Sequence, residues 1–318
     1  MQACLDSRAM TIGSFAEELA AVERPSAHLL EPTGQTPLVR LHGTPRLHRL
    51  LPTPVALRLA ALRGLLEWHT LAARRAQSIR VTAALRGLPV SSAETKHHAR
   101  RRVIEEAVRA ELEWRPWLWR KLELEGLEHL QAARELRGGR VIVATLHLGP
   151  FPALIHGLAA RGLKLYVSQA AEFATMPTLH GRLGRWSVQQ MRWVEEAGCR
   201  IIPRGRSYRV FRALLNRGEA CWFAVDVPGR AELRLAGHPV RVQVGAAALA
   251  LETGAPILPG LVLRRGWRPR GILFAPVDPV DFTDRAELTQ HVFDVLGPIL
   301  AAEPEQADRN FLRLGDFA

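Results

Sequence analysis

Metal-ligand spacing, nucleotide-binding loops and membrane-length apolar runs are all missing from this chain of 318 residues. Its three cysteines, Cys4, Cys199 and Cys221, show no ligand spacing. An odd number does not suggest a disulfide framework, so a reducing cytoplasm is the expected setting and no metal is expected. No phosphate-cradling Walker loop occurs, no G-x-G-x-x-G follows a strand, and no G-x-S-x-G elbow presents a serine. Helix-turn-helix, zinc-finger and RNP patterns are lacking, and aromatic residues do not interleave with basic ones, so nucleic acid is not an expected partner. The start, MQACLDSRAM, has neither the basic region nor the apolar run of a signal peptide. The most apolar long window, Val244 to Leu263, is interrupted by Glu252, Gly254, Pro256 and Pro259. It reads as helix, turn and strand rather than a membrane span. No internal repeat or low-complexity tract is found.

What is present is a basic, well-filled globular chain. Apolar residues make up 47%, and the formal net charge is +12. The length suffices for a full core. The charge points to anionic partners: phosphates, acidic carrier proteins, anionic lipid or nucleic acid. It is concentrated between Arg200 and Arg241, where nine arginines face three acids. Arg204, Arg206 and Arg209 lie between a strand and a helix, a setting suited to phosphate.

The stretch VIVATLHLGPFPALIHGLAARG, residues 141–162, organises the rest. Val141 to Leu146 is too short for a helix and rich in residues that favour a pleated sheet. A break at His147, Leu148 and Gly149 precedes a helix expected from Pro150 to Ala160, with prolines in its first turn. His147 therefore sits where a strand ends and a helix begins, the edge at which open α/β sheets bind ligands. The partial positive charge of the helix N-terminus favours a neutral imidazole, as a general base requires. A loop-capping histidine would look the same.

Further on, strands are expected at Leu163–Ser168, Arg200–Pro203, Ala220–Val225, Ile257–Arg264 and Leu273–Val277. Helices are expected at Leu179–Ala197, Tyr208–Arg217, Val244–Thr253 and Glu287–Ala302. This alternation predicts an α/β fold with a mainly parallel central sheet and helices on both faces. Upstream, Val55, Leu59, Leu62 and Leu66 share one helical face in a segment extending to Ala73, with Arg58 and Arg63 elsewhere on it. Such a helix either packs in the core or lies in a membrane interface. Ser91 followed by Glu94 predicts a capped helix carrying Lys96, His97, His98, Arg100, Arg101 and Arg102. Trp114, Trp117 and Trp119 crowd around Pro116, as at a half-wet boundary or in a core. Leu122 to Arg137 reads as another helix. Residues 1–48 form a loop-like N-terminal extension with a short helix at Ser14–Val22, leaving 49–318 as the α/β domain.

Several segments, in this order, resemble the lysophospholipid acyltransferase superfamily, closest to its lipid A late acyltransferase branch. They are LLPTPVALRLAALRGLLEW, GLEHLQAARELRGGRVIVATLHLGPFP, GCRIIPRGRSYRVFRALLNRGEACWFAVDVPGR, VGAAALALETGAPILPGLVLRRG and EPEQADRNFLRLGDF. The resemblance covers about residues 48–318. It implies transfer of a fatty acyl chain from an acyl-carrier protein or acyl-CoA co-substrate to a lipid or glycolipid hydroxyl or amine. It also implies a peripheral position on the cytoplasmic face of the inner membrane, His147 as base, and no cofactor beyond the thioester. The superfamily places an acid five residues after the histidine, and here that residue is Pro152. Asp226, ending a strand at the same sheet edge, is the expected substitute, with Glu172 second. Arg204, Arg206, Arg209 and Arg230 are the expected donor-binding residues. Two other readings stay open. A lipid-binding pseudoenzyme is favoured if no carboxylate reaches His147. A soluble acyltransferase tailoring a secondary metabolite is favoured if the helix bearing Val55 is buried.

Overall fold

The computed structural model describes residues 15–25, 45–169, 181–203, 207–308 and 314. Helices are α1 (Phe15–Val22), α2 (Pro45–Leu50), α3 (Thr53–Thr70), α4 (Ala72–Arg86), α5 (Ala93–Leu112), α6 (Pro116–Trp119), α7 (Leu127–Leu136), α8 (Pro152–Ala159), α9 (Gly181–Glu196), α10 (Ser207–Asn216), α11 (Gly245–Thr253) and α12 (Arg285–Ala302). Strands are β1 (Glu123–Glu125), β2 (Val141–Thr145), β3 (Leu165–Gln169), β4 (Arg200–Pro203), β5 (Ala220–Ala224), β6 (Pro228–Leu235), β7 (His238–Val242), β8 (Ile257–Arg265) and β9 (Arg268–Leu273).

Seven strands form one sheet in the order β1-β9-β8-β2-β5-β3-β4. Every neighbouring pair is parallel except the β8–β9 hairpin. β2 lies at its centre and is fully buried along its length, which explains its unbroken apolar sequence. One face of the sheet packs under α10, α11 and α12 around Phe211, Leu249 and Phe293. The other packs under α8 and α9 with Trp114, Trp119, Leu154 and Trp193. The expected architecture, a mainly parallel sheet with helices on both faces, is the observed one. Cys199 and Cys221 are buried free thiols, raised in pKa by that burial.

Local differences from the expected elements have physical causes. The helix expected over Leu122–Arg137 is strand β1 followed by α7, separated by Gly126 at φ 77. The strand expected at Leu273–Val277 lies earlier, as β9, paired with β8 through the turn at Gly266. Part of the arginine-rich stretch is the separate hairpin β6–β7, whose β6 residues alternate outward and inward. The segment expected as one helix to Ala73 breaks at Leu71 into α3 and α4. α5 is capped by Ser92, not Ser91: its hydroxyl accepts from the Thr95 N–H at 3.0 Å. Within residues 1–48, α1 docks on the sheet edge with Leu19 buried, and Glu23 receives Lys164 Nζ at 2.7 Å.

Three helices, α3, α4 and α5, make a layer beside the sheet. Gly64 lets α3 approach α5, since a Cβ there would stand 2.7 Å from the Ile104 Cα. The buried side of α3 is Ala56, Leu57, Ala60, Gly64 and Trp68. Its other apolar row faces outward: Leu59 is 50%, Leu62 62% and Leu66 62% exposed, with Leu50, Leu51 and Val55 exposed beside them. Trp114 and Trp119 are core residues, 1% and 0% exposed, contrary to a membrane-facing cluster. Packing against Trp193 explains this, with ring centroids 5.8 and 5.9 Å away. Trp117 is half-buried under Arg49 and Arg115. The basic face of α5 is divided. Lys96, His97, Arg100 and Arg101 are exposed, while Arg102 is buried. No helix among the described residues is long and apolar enough to cross a membrane.

Candidate active site

Strand register brings the site together. Parallel pairing sets Thr145 of β2 opposite Ala224 of β5. Two residues further along each chain stand His147 and Asp226, at the same carboxyl edge of the sheet. The Asp226 carboxylate meets the histidine twice. Oδ2 accepts the His147 backbone N–H at 2.8 Å, and Oδ1 lies 2.8 Å from ring Nδ1. With Nδ1 occupied, Nε2 is the ring nitrogen left to accept a proton. The His147 side chain is 21% exposed and that of Asp226 8%, so the acid is covered while the ring reaches the surface.

Burial opposes charge on this imidazole, but the Asp226 carboxylate outweighs it through its charge and hydrogen bond. Asp308 adds to that effect, and the His147 pKa lies above its ordinary value. The carboxylates act on the ring in the direction opposite to that expected of a helix N-terminus. Pro152 takes the first position of α8, where its missing N–H has no helical partner to lose. It offers no carboxylate; the carboxylate that meets the ring is that of Asp226, after the neighbouring strand. An ionised acid on Nδ1 sets the tautomer and ring angle and stabilises an imidazolium as it forms.

The ring is also held by apolar contacts. Phe151 meets it edge-on with centroids 4.8 Å apart, and Phe151 in turn stacks on Trp222 at 6.0 Å. The turn after His147 depends on Gly149, at φ 59: a Cβ would stand 2.1 Å from the Val262 carbonyl oxygen. The turn is pinned from the C-terminal side as well. Asp308 N–H donates to the His147 carbonyl at 2.8 Å, and Gly149 N–H donates to the Gln306 carbonyl at 2.9 Å.

Of the remaining expected residues, the structure describes Arg209 and Arg230. Glu172, Arg204 and Arg206 lie outside the described residues. Arg209 is exposed, its guanidinium 4.8 Å over the Phe15 ring. Arg230 is exposed on the outward side of β6. Sequence reasoning missed Phe151 and Asp308 as neighbours of the histidine. Phe151 carried a signal in its position four residues after His147; Asp308 carried none. Among the described residues no group of three or more His, Cys, Asp or Glu could hold a metal ion.

Comparison with known proteins adds the family. Among solved structures, the 1-acyl-sn-glycerophosphate (LPA) acyltransferase PlsC from Thermotoga maritima is similar at 16% identity, with a TM-score of 0.41. The match covers 78% of this chain and 98% of that one. No curated protein sequence matches. The profile of the bacterial lipid A biosynthesis acyltransferases matches residues 93–307, a span that includes His147 and Asp226. Since that span is well over half of its length, the chain belongs to the bacterial lipid A biosynthesis acyltransferase family.

Proposed function

We propose that this protein is a peripheral membrane acyltransferase. It moves a fatty acyl chain from a thioester donor, acyl-carrier protein or acyl-CoA, to a hydroxyl or amine of a lipid or glycolipid. His147 Nε2 takes the proton of the acceptor as its oxygen or nitrogen attacks the thioester carbonyl. Collapse of the tetrahedral intermediate expels the thiolate, which recovers the proton from the imidazolium. Asp226 fixes the ring and stabilises its charged form. The N-terminus of α8 or a nearby arginine stabilises the oxyanion. Arg204, Arg206, Arg209 and Arg230 hold the phosphates or the acidic carrier of the donor, at the cytoplasmic face of the inner membrane.

The observation that carries this reading is the 2.8 Å contact between His147 Nδ1 and Asp226 Oδ1. It gives an acid to a histidine whose motif position holds proline, and so supports an active enzyme over a pseudoenzyme. The exposed apolar row on α3 counts against a soluble tailoring enzyme. The test is a His147→Ala strain. Its lipid profile by mass spectrometry is expected to match that of a full deletion. A profile matching the parent while the deletion differs would instead establish a non-catalytic role. For the donor site, alanine at Arg204, Arg206 and Arg209 together is expected to raise the donor KM and to weaken its salt dependence. Unchanged donor kinetics removes those residues from the site.

A further inference from the structure

A strap at residues 304–308 crosses the catalytic turn and is gripped from behind by α4 and α5. Its backbone forms an antiparallel bridge, Leu148 opposite Ala307. The hydrogen bonds from Gly149 and Asp308 described above flank that bridge. From α5, Arg102 Nη1 donates to the Pro304 carbonyl at 3.0 Å, and His98 Nδ1 lies 2.7 Å from Glu305 Oε1. From α4, Arg86 Nη2 reaches the same oxygen at 2.8 Å. At the end nearest the histidine, Arg109 Nη2 donates to Asp308 Oδ2 at 2.7 Å. Arg109 and Asp308 are 199 residues apart, with side chains only 14% and 17% exposed.

We propose that Asp308 and Arg109 form a positioning pair for His147, one holding the strap in place and the other bonding the histidine's own carbonyl. The proposal rests on His147 being the base of the reaction above. Asp226 holds the ring from the side of β5, and Asp308 holds its backbone from the opposite end of the chain. The Asp226 carboxylate touches the imidazole, and that of Asp308 acts on it through its charge. Asp308 favours the imidazolium, whereas the Arg109 guanidinium disfavours it. Arg102 on α5 and Glu113, which caps its C-terminal end, also interact with Asp308 through charge. Burial pushes the Glu113 carboxyl up to about 7, against the pull of Arg109.

The pair makes a prediction that mere loosening of the fold does not. Removing the carboxylate and removing the guanidinium shift His147 in opposite directions. The experiment is an NMR titration of ¹³C-labelled histidine in the full chain without substrate, with the His147 signal assigned from His147→Ala. Asp308→Asn keeps the backbone N–H and is expected to move the His147 midpoint down by about half a pH unit or more. Arg109→Gln is expected to move it up, and the double variant to fall between the two. The acid limb of kcat/KM is expected to follow the same order. Shifts of one sign in both single variants overturn the pair. If Arg109→Gln does not fold, Asp308→Asn alone decides, and an unmoved midpoint overturns it. An active His147→Ala enzyme removes the base itself, and is a separate result from an unmoved titration in a protein that needs its histidine.

Discussion

Asp226 grips both the backbone and the ring of His147, one carboxylate oxygen for each. Asp226→Asn keeps the shape and can still meet one of these partners, but loses the charge. The expected loss in kcat/KM is at least about 10²-fold. The direction of the pH effect follows from the raised pKa. A base must be neutral, so activity falls as pH drops through a midpoint above the ordinary 6.5, and the asparagine variant shifts that midpoint down. Stability runs the other way. The charged pair contributes fully below the unfolded pKa and loses its contribution as pH rises through the folded one. A pH–rate profile whose acid limb stays in place in Asp226→Asn would separate the carboxylate from the proton.

Gly149 carries the turn. Gly149→Ala places a Cβ against the Val262 carbonyl and holds a left-handed φ of 59 that alanine tolerates poorly. The expected cost is above about 2 kcal/mol by urea unfolding, with activity lost because the turn carries His147. Parental stability together with parental kcat would show that the turn can move aside.

His156 lies on α8 beneath the site, its ring 4.8 Å from that of Trp119. Burial, with help from Arg120, pushes its pKa down to about 4. His156 carries no ionisation penalty above the unfolded value of 6.5, and the penalty grows as pH falls towards 4. Its Nε2 is buried without a hydrogen-bond partner. An apolar replacement removes a desolvation cost of about 1–3 kcal/mol. His156→Leu is therefore expected to hold or raise Tm at pH 7 and to raise it more at pH 5. Calorimetry showing a lower Tm at both values would contradict this.

The outward row on α3 is expected to enter the interfacial zone of an anionic bilayer. Serine at Leu59, Leu62 and Leu66 removes apolar surface that the fold does not bury. Tm should change little, while flotation with anionic liposomes should weaken by about tenfold or more. Equal flotation of parent and variant would place the contact elsewhere.

The sheet and the place of His147 at its edge were legible because β2 is buried on both faces, and such a strand leaves a continuous apolar signature. Asp226 was legible as the last residue of a strand in the same parallel sheet. The outward row on α3 was visible as a face, but not its direction: Ala56, Ala60, Gly64 and Trp68 form a second apolar face, and only the neighbour α5 decides between them. Tryptophan density around Pro116 misled for a related reason, since the same ring suits a boundary or a core. β1 is three residues long with charged ends, below what periodicity resolves. The hairpin β6–β7 hid in a run of charge because its outward residues are mostly charged. Asp308 and Arg109 meet through tertiary structure alone, across most of the chain.

The separation of the proposed base and its acid sets when catalysis can begin. His147 and Asp226 are 79 residues apart, brought together by the pairing of β2 with β5. During synthesis, the imidazole leaves the ribosome long before its acid is made. An acid within the same turn would arm the base as soon as α8 formed. With His147 as base and Asp226 as its acid, as proposed, the nascent chain stays inert until two distant strands have found their register, so competence for acyl transfer arrives with completion of the sheet.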